Sequence, residues 1–233
     1  MSYTKRLDGR APDQLREIEA KAGIIPRADG SAMFRMGNTI AYAAVYGPRN
    51  LFPRFLQNPE KGILRIHYNM MPFSSGGERV RPGGSRRSKE IAFVTTKALS
   101  PVVDLSELPN SVVDVFIEFP QTDAGTRCAG INAATIALAD AGIAMKDMIG
   151  AVSVGAVDGS IVLDLNYDEE AYDKGPVADI PIAMTTRSGE ITLLQMDGEL
   201  TPEQLKKALA MAKKGIKEIH ELQVKVLKEK YGE

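Results

Sequence analysis

Apolar and polar positions alternate moderately over residues 63–70 and more clearly over 111–119, where Val113, Val115, Ile117 and Phe119 point one way. That period of two predicts half-buried strands. Further strands are predicted over residues 18–25, 32–36 and 39–47, separated by the turns around Asp29-Gly30 and Gly37-Asn38. The period lengthens to that of a helix after Ser85, a plausible N-cap, with Ile91, Val94, Ala98 and Leu99 on one stripe. A second helix is predicted over residues 126–140, stopped by Gly142. A third covers about 202–230 and opens on Thr201-Pro202-Glu203-Gln204, a capping box with proline in the first turn. Its apolar stripe runs Leu205, Leu209, Ala212, Ile216, Ile219 and Val226, and its lysine-rich face reads as solvated surface. Strands at 148–157 and 160–166 flank Asp158-Gly159, and strands at 180–185 and 190–195 flank residues 187–189. Each half therefore runs strands first and helices after, which predicts an α+β sandwich built on an internal duplication.

Composition narrows the class. The 233 residues are 44% hydrophobic and 25% charged, enough for a packed core in one domain or two small ones. No apolar run is long enough to span a membrane, and the first residues carry no secretory h-region. A single cysteine, Cys128, excludes an internal disulfide and fits a reducing, cytoplasmic setting. With only His67 and His220 beside it, a zinc site is disfavoured. Net charge is −1, so any nucleic-acid role must rest on local charge.

Three clusters carry candidate chemistry. Asp123-Ala124-Gly125-Thr126-Arg127 stands directly before the second helix, where free N–H groups, a hydroxyl and a guanidinium suit an anion. Arg79, Arg81, Arg86, Arg87 and Lys89, diluted by Glu78 and Glu90, suit a polyanion backbone. Asp164, Asp168, Glu169, Glu170, Asp173 and Asp179 offer hard oxygens suited to Mg²⁺, Asp179 at the mouth of an apolar strand. Taken singly, each has a plainer reading: a capped helix, a solvated loop, an acidic loop. Together they fit phosphoryl transfer on a nucleic acid.

The segments Gln121-Thr122-Asp123-Ala124-Gly125-Thr126-Arg127-Cys128-Ala129-Gly130 and Arg6-Leu7-Asp8-Gly9-Arg10 resemble the RNase PH family of phosphorolytic exoribonucleases. Tyr68-Asn69-Met70-Met71-Pro72-Phe73, Ser85-Arg86-Arg87 and Leu194-Gln195-Met196-Asp197-Gly198 are similar to the catalytic, archaeal exosome branch of that family. The resemblance implies a duplicated βαβα sandwich, the ribosomal S5 domain 2-like fold, as a single RNase PH-like domain over residues 1–233. It implies phosphate binding by Gly125, Thr126 and Arg127, and RNA binding by Arg86, Arg87 and Tyr68. Arg54 and Lys61 would line the neck of a central channel. Two aspartates six residues apart, Asp173 and Asp179, would carry catalysis and the metal, Mg²⁺ or Mn²⁺, with Glu170 the nearest rival to Asp173. Inorganic phosphate would be the co-substrate and single-stranded RNA the substrate, with the reaction able to run backwards. The implied partners are an inactive paralogue in an alternating hexameric ring and RNA-binding cap subunits. Three alternatives remain: a bacterial-type homo-oligomer trimming tRNA, a non-catalytic RNA-binding ring subunit, and a ribosomal-type RNA-binding module sharing part of the fold.

Overall fold

The computed structural model describes residues 3, 5–77 and 79–232; Glu78 of the basic segment lies outside them. Strands β1 (Ile18–Ala22), β2 (Gly30–Met36), β3 (Thr39–Asn50), β4 (Ile63–Met70) and β5 (Ser111–Gln121) form one sheet in the order β1-β2-β3-β5-β4. The pairing is antiparallel except for β4 with β5, which are joined through helix α1 (Arg86–Leu99). Helix α2 (Thr126–Asp140) follows. The second half gives β6 (Ile149–Val157), β7 (Ser160–Leu163), the short helix α3 (Tyr167–Glu170), β8 (Val177–Thr185) and β9 (Ile191–Leu194). These strands form a second, antiparallel sheet in the order β7-β6-β8-β9, and α4 (Pro202–Tyr231) closes the chain.

Helix α2 lies between the sheets, against β2 and β3 on one side and β6 on the other. All its residues but Arg127 and Ala139 are buried, as expected of a helix apolar on every side. Val113, Val115, Ile117 and Phe119 of β5 are fully buried beneath it. β6 is buried along its whole length, between α2 and α4. A Cβ on Gly150 of β6 would stand 2.7 Å from Ile216 Cγ2, so glycine is what lets α4 approach. Thr201 and Gln204 form the expected capping box. At the other end of α4, Lys230 Nζ binds Asp140 Oδ1, and the Tyr231 hydroxyl donates to Asp140 O at 3.0 Å.

Several boundaries differ from the sequence reading. β1 stops at Ala22 because Gly23 turns with φ +72°, and β7 stops at Leu163 because Asp164 turns with φ +56°. The acidic stretch is not a plain loop: Asn166 caps α3 and exchanges hydrogen bonds with Glu169 in a second capping box.

Candidate active site

The cleft, about 1600 Å³, opens where the N-terminus of α2 faces β8. Ala124 and Gly125 both take left-handed φ, +56° and +63°, and turn the chain sharply into the helix. Gly125, the N-cap of α2, makes no side-chain cap, which leaves N–H groups of the first turn to an anion. The turn is held from below. Asp123 N–H donates to Thr39 Oγ1, which in turn donates to Ala124 O at 2.7 Å. Arg16 donates to Asp123 O through Nη1 and grips Asp164 through Nε and Nη2, at 3.0 and 2.7 Å.

Thr126 is buried and accepts a 2.8 Å hydrogen bond from the Tyr68 hydroxyl. Tyr68 reaches the cleft wall but is itself only 6% exposed, its ring tilted against Phe119 at 5.0 Å. Burial pushes its phenol up, which keeps it a neutral donor. In this structure Tyr68 thus orients Thr126, and presents no open face for RNA to stack on. Arg127 points along the cleft, bonded to Gln195 Oε1 and 3.9 Å from Glu90.

Opposite the cradle, Asp179 stands third in β8, tied by a backbone bridge to Asp197 and accepting from the buried Ser153 hydroxyl. Burial and the nearby Asp197 charge push its carboxyl up, against the pull of Ser153 and Arg127. Glu170, at the end of α3, lines the same cleft. Burial and then the Asp179 charge raise it to about 7, opposed by Arg16, Arg87 and a hydrogen bond from the Gly125 backbone.

The remaining sequence-predicted residues separate. Arg81 and Arg87 line the cleft, whereas Arg79 and Arg86 do not. Arg54, in a 3₁₀ turn over Arg54–Leu56, and Lys61 are exposed and outside it. Asp173 is also exposed on the loop after α3 and is not brought to the cleft; the α3 turn delivers Glu170 there instead. The acidic cluster therefore does not act as one group. Asp164 is consumed by Arg16, and Glu169 by a bidentate pair with Arg6 at 2.8 and 2.7 Å and by the Tyr3 hydroxyl. Sequence reasoning did not single out Ser153, Arg16 or Gln195 for a role, because their partners lie 26, 148 and 68 residues away respectively.

Glu170, raised in part by the Asp179 charge, and Asp179 line one cleft and offer oxygens to a hard cation. Among the described residues no group of three could cage one. Mg²⁺ takes one or two carboxylates and completes its shell with water and substrate phosphate.

An anion cradle, a basic wall and paired carboxylates around one cleft define an enzyme of phosphoryl transfer on a polyanion. Residues 14–144 match the 3′ exoribonuclease family, domain 1 (RNase PH), and residues 147–215 match its domain 2. The exosome complex component Rrp41 of Methanopyrus kandleri is 50% identical over 227 residues, 97% of this chain and 93% of that protein. The Pyrococcus furiosus Rrp41 is also 50% identical, over 97% and 89%. Among solved structures, rice Rrp46 superposes with a TM-score of 0.84 at 26% identity, covering 96% of this chain and all of that one (100%). The Archaeoglobus fulgidus exosome with RNA bound to the active site shares the fold, with a TM-score of 0.78 at 22% identity over 94% and 92%. This chain belongs to the RNase PH, 3′ exoribonuclease family.

Proposed function

We propose that the chain is the catalytic subunit of an archaeal-type exosome ring, shortening RNA from its 3′ end with inorganic phosphate. One observation carries the reading: an uncapped helix N-terminus with Gly125, Thr126 and Arg127 shares a cleft with Asp179 and Glu170. Phosphate held at the α2 terminus attacks the last phosphorus of the RNA. A P–O bond forms to the incoming phosphate and the bond to the 3′ oxygen breaks. The terminal nucleotide leaves as a nucleoside diphosphate, and the 3′ oxygen of the shortened RNA takes up a proton. Because phosphate and not water attacks, this is a transfer and not a hydrolysis, and excess diphosphate drives it backwards into tail addition.

The protein's part is positioning and charge compensation. Arg127 draws phosphate in, and Arg87 and Arg81 hold the RNA backbone. Asp179, raised by burial, is suited to give a proton to the leaving oxygen or to hold a cation beside it. Mg²⁺ or Mn²⁺ bound by Asp179 and Glu170 would neutralise the charge that builds on the transferring phosphoryl group. A non-catalytic ring subunit would need neither the cradle nor Asp179, and this chain has both.

The partner reading follows from charge. The net charge is −1, so a strand of RNA needs a second, basic wall. An inactive paralogue alternating with this chain in a six-membered ring supplies it, with Arg54 and Lys61 at the channel neck and RNA-binding caps above. A cytoplasmic setting agrees with a single, buried cysteine, and no helix among the described residues is long and apolar enough to cross a membrane. Chromatography of products decides the chemistry. Nucleoside diphosphates that appear only with phosphate are expected, and monophosphates released without it would overturn the reading.

A further inference from the structure

We propose that Gln195 is a positioning residue that keeps Arg127 free for phosphate by insulating it from Glu90. The inference rests on the reading that the α2 cradle binds inorganic phosphate. Three elements meet here: Arg127 in the first turn of α2, Glu90 in α1, and Gln195 just past the end of β9. Gln195 Oε1 accepts from Arg127 Nη1, while Gln195 Nε2 donates to Glu90 Oε1 at 3.1 Å. Glu90 Oε1 itself lies 3.9 Å from Arg127 Nη1, within ion-pairing range. All three residues line the cleft.

The chemistry of an amide suits this place. Its oxygen fixes a guanidinium without neutralising it, and its nitrogen occupies the carboxylate that would otherwise capture that guanidinium. A glutamate at 195 would hold the guanidinium but neutralise it, and would have no N–H to give Glu90. Arg127 has five N–H donors, so a bond to Gln195 leaves others for a phosphate oxygen. The bracket also ties α1 and α2 of the first half to β9 of the second, so the two cleft walls share one hydrogen-bonded joint.

Removing the amide should let Arg127 settle onto Glu90 and withdraw from the anion. The test is inorganic phosphate titrated onto the full chain, read by calorimetry or ³¹P line broadening, which needs no turnover. Gln195→Ala should weaken phosphate binding about five- to tenfold, the worth of a fixed charge-assisted contact. Affinity for a fluorescent single-stranded RNA, read by anisotropy, should stay within about twofold, since this contact serves the phosphate site. Gln195→Glu should weaken phosphate binding further. Adding Glu90→Gln to Gln195→Ala should recover much of the loss, because the competing carboxylate is gone. A merely structural role would not produce that recovery. Unchanged phosphate binding in Gln195→Ala, or a double variant no better than the single one, overturns the bracket alone. A parent chain that binds no phosphate overturns the cradle and the bracket together.

Discussion

At the residue scale, neighbouring carboxylates in one short stretch do opposite work. Glu169 is held by Arg6 and Tyr3, and although burial alone would raise it, those partners bring it below its ordinary value of 4.5. A depressed acid contributes stability above the unfolded value and loses it as pH falls through the folded one. Glu170, raised to about 7, has the reverse sign: folding is favoured while it is protonated, and that contribution fades as pH climbs from 4.5 through 7. Thermal melts across pH should therefore split the two. Glu169→Gln should cost about 3–5 kcal/mol at neutral pH, as expected when a buried guanidinium loses its counter-charge. Glu170→Gln should raise the melting temperature at pH 8 more than at pH 5, and equal shifts at both would contradict the assignment. Asp179→Ala should abolish turnover while RNA binding holds or improves, since a carboxylate facing the phosphates is removed. Activity equal to the parent's at matched circular dichroism would exclude Asp179 from the reaction.

At the scale of elements, α2 was the most readable part of the chain. Gly125 and Gly142 stand at its two ends, and both take left-handed φ. Local chemistry sets such a helix, so the sequence suffices. Gly125→Ala would force a side chain into φ +63° with its Cβ 3.0 Å from Arg16 Nη2. A cost of roughly 1–2 kcal/mol is expected, or about 2–8 °C in melting temperature, together with weaker phosphate binding. Unchanged melting and binding would mean the turn is not strained as described. The acidic stretch was less readable for the opposite reason. Nothing near Asp164 or Glu169 announces that Arg16 and Arg6, some 150 residues earlier, neutralise them. The family resemblance points to Asp173 as the partner of Asp179, with Glu170 its nearest rival, but helix geometry decides which side chain faces the cleft, and the turn of α3 turns Glu170 in. β6 is announced by its flanking turn and not by alternation, because a strand buried on both faces has none.

At the scale of the molecule, the cradle comes from the first half and Asp179 from the second, while one apolar core runs through both. We expect a single cooperative unfolding transition, and two resolved transitions by calorimetry would show that the halves fold apart. In light scattering the lone chain should remain a small species with poor activity and enter a six-membered ring only with its paralogue. A fully active homohexamer would favour the bacterial-type alternative. The last helix adds a mechanical property to this arrangement. At 30 residues α4 is about 45 Å long, pinned at its far end by Lys230 and Tyr231 on Asp140. Asp140 also accepts from the Ser31 backbone, so one carboxylate joins α2, β2 and the end of α4. A tensile load on the C-terminus therefore meets that clasp first, and its release would peel α4 from β6 and β7 like a strap. A load on the N-terminal side meets the buried Arg6 and Arg16 pairs instead. The molecule is thus anisotropic under force, yielding at its last helix and resisting at its arginine-anchored beginning.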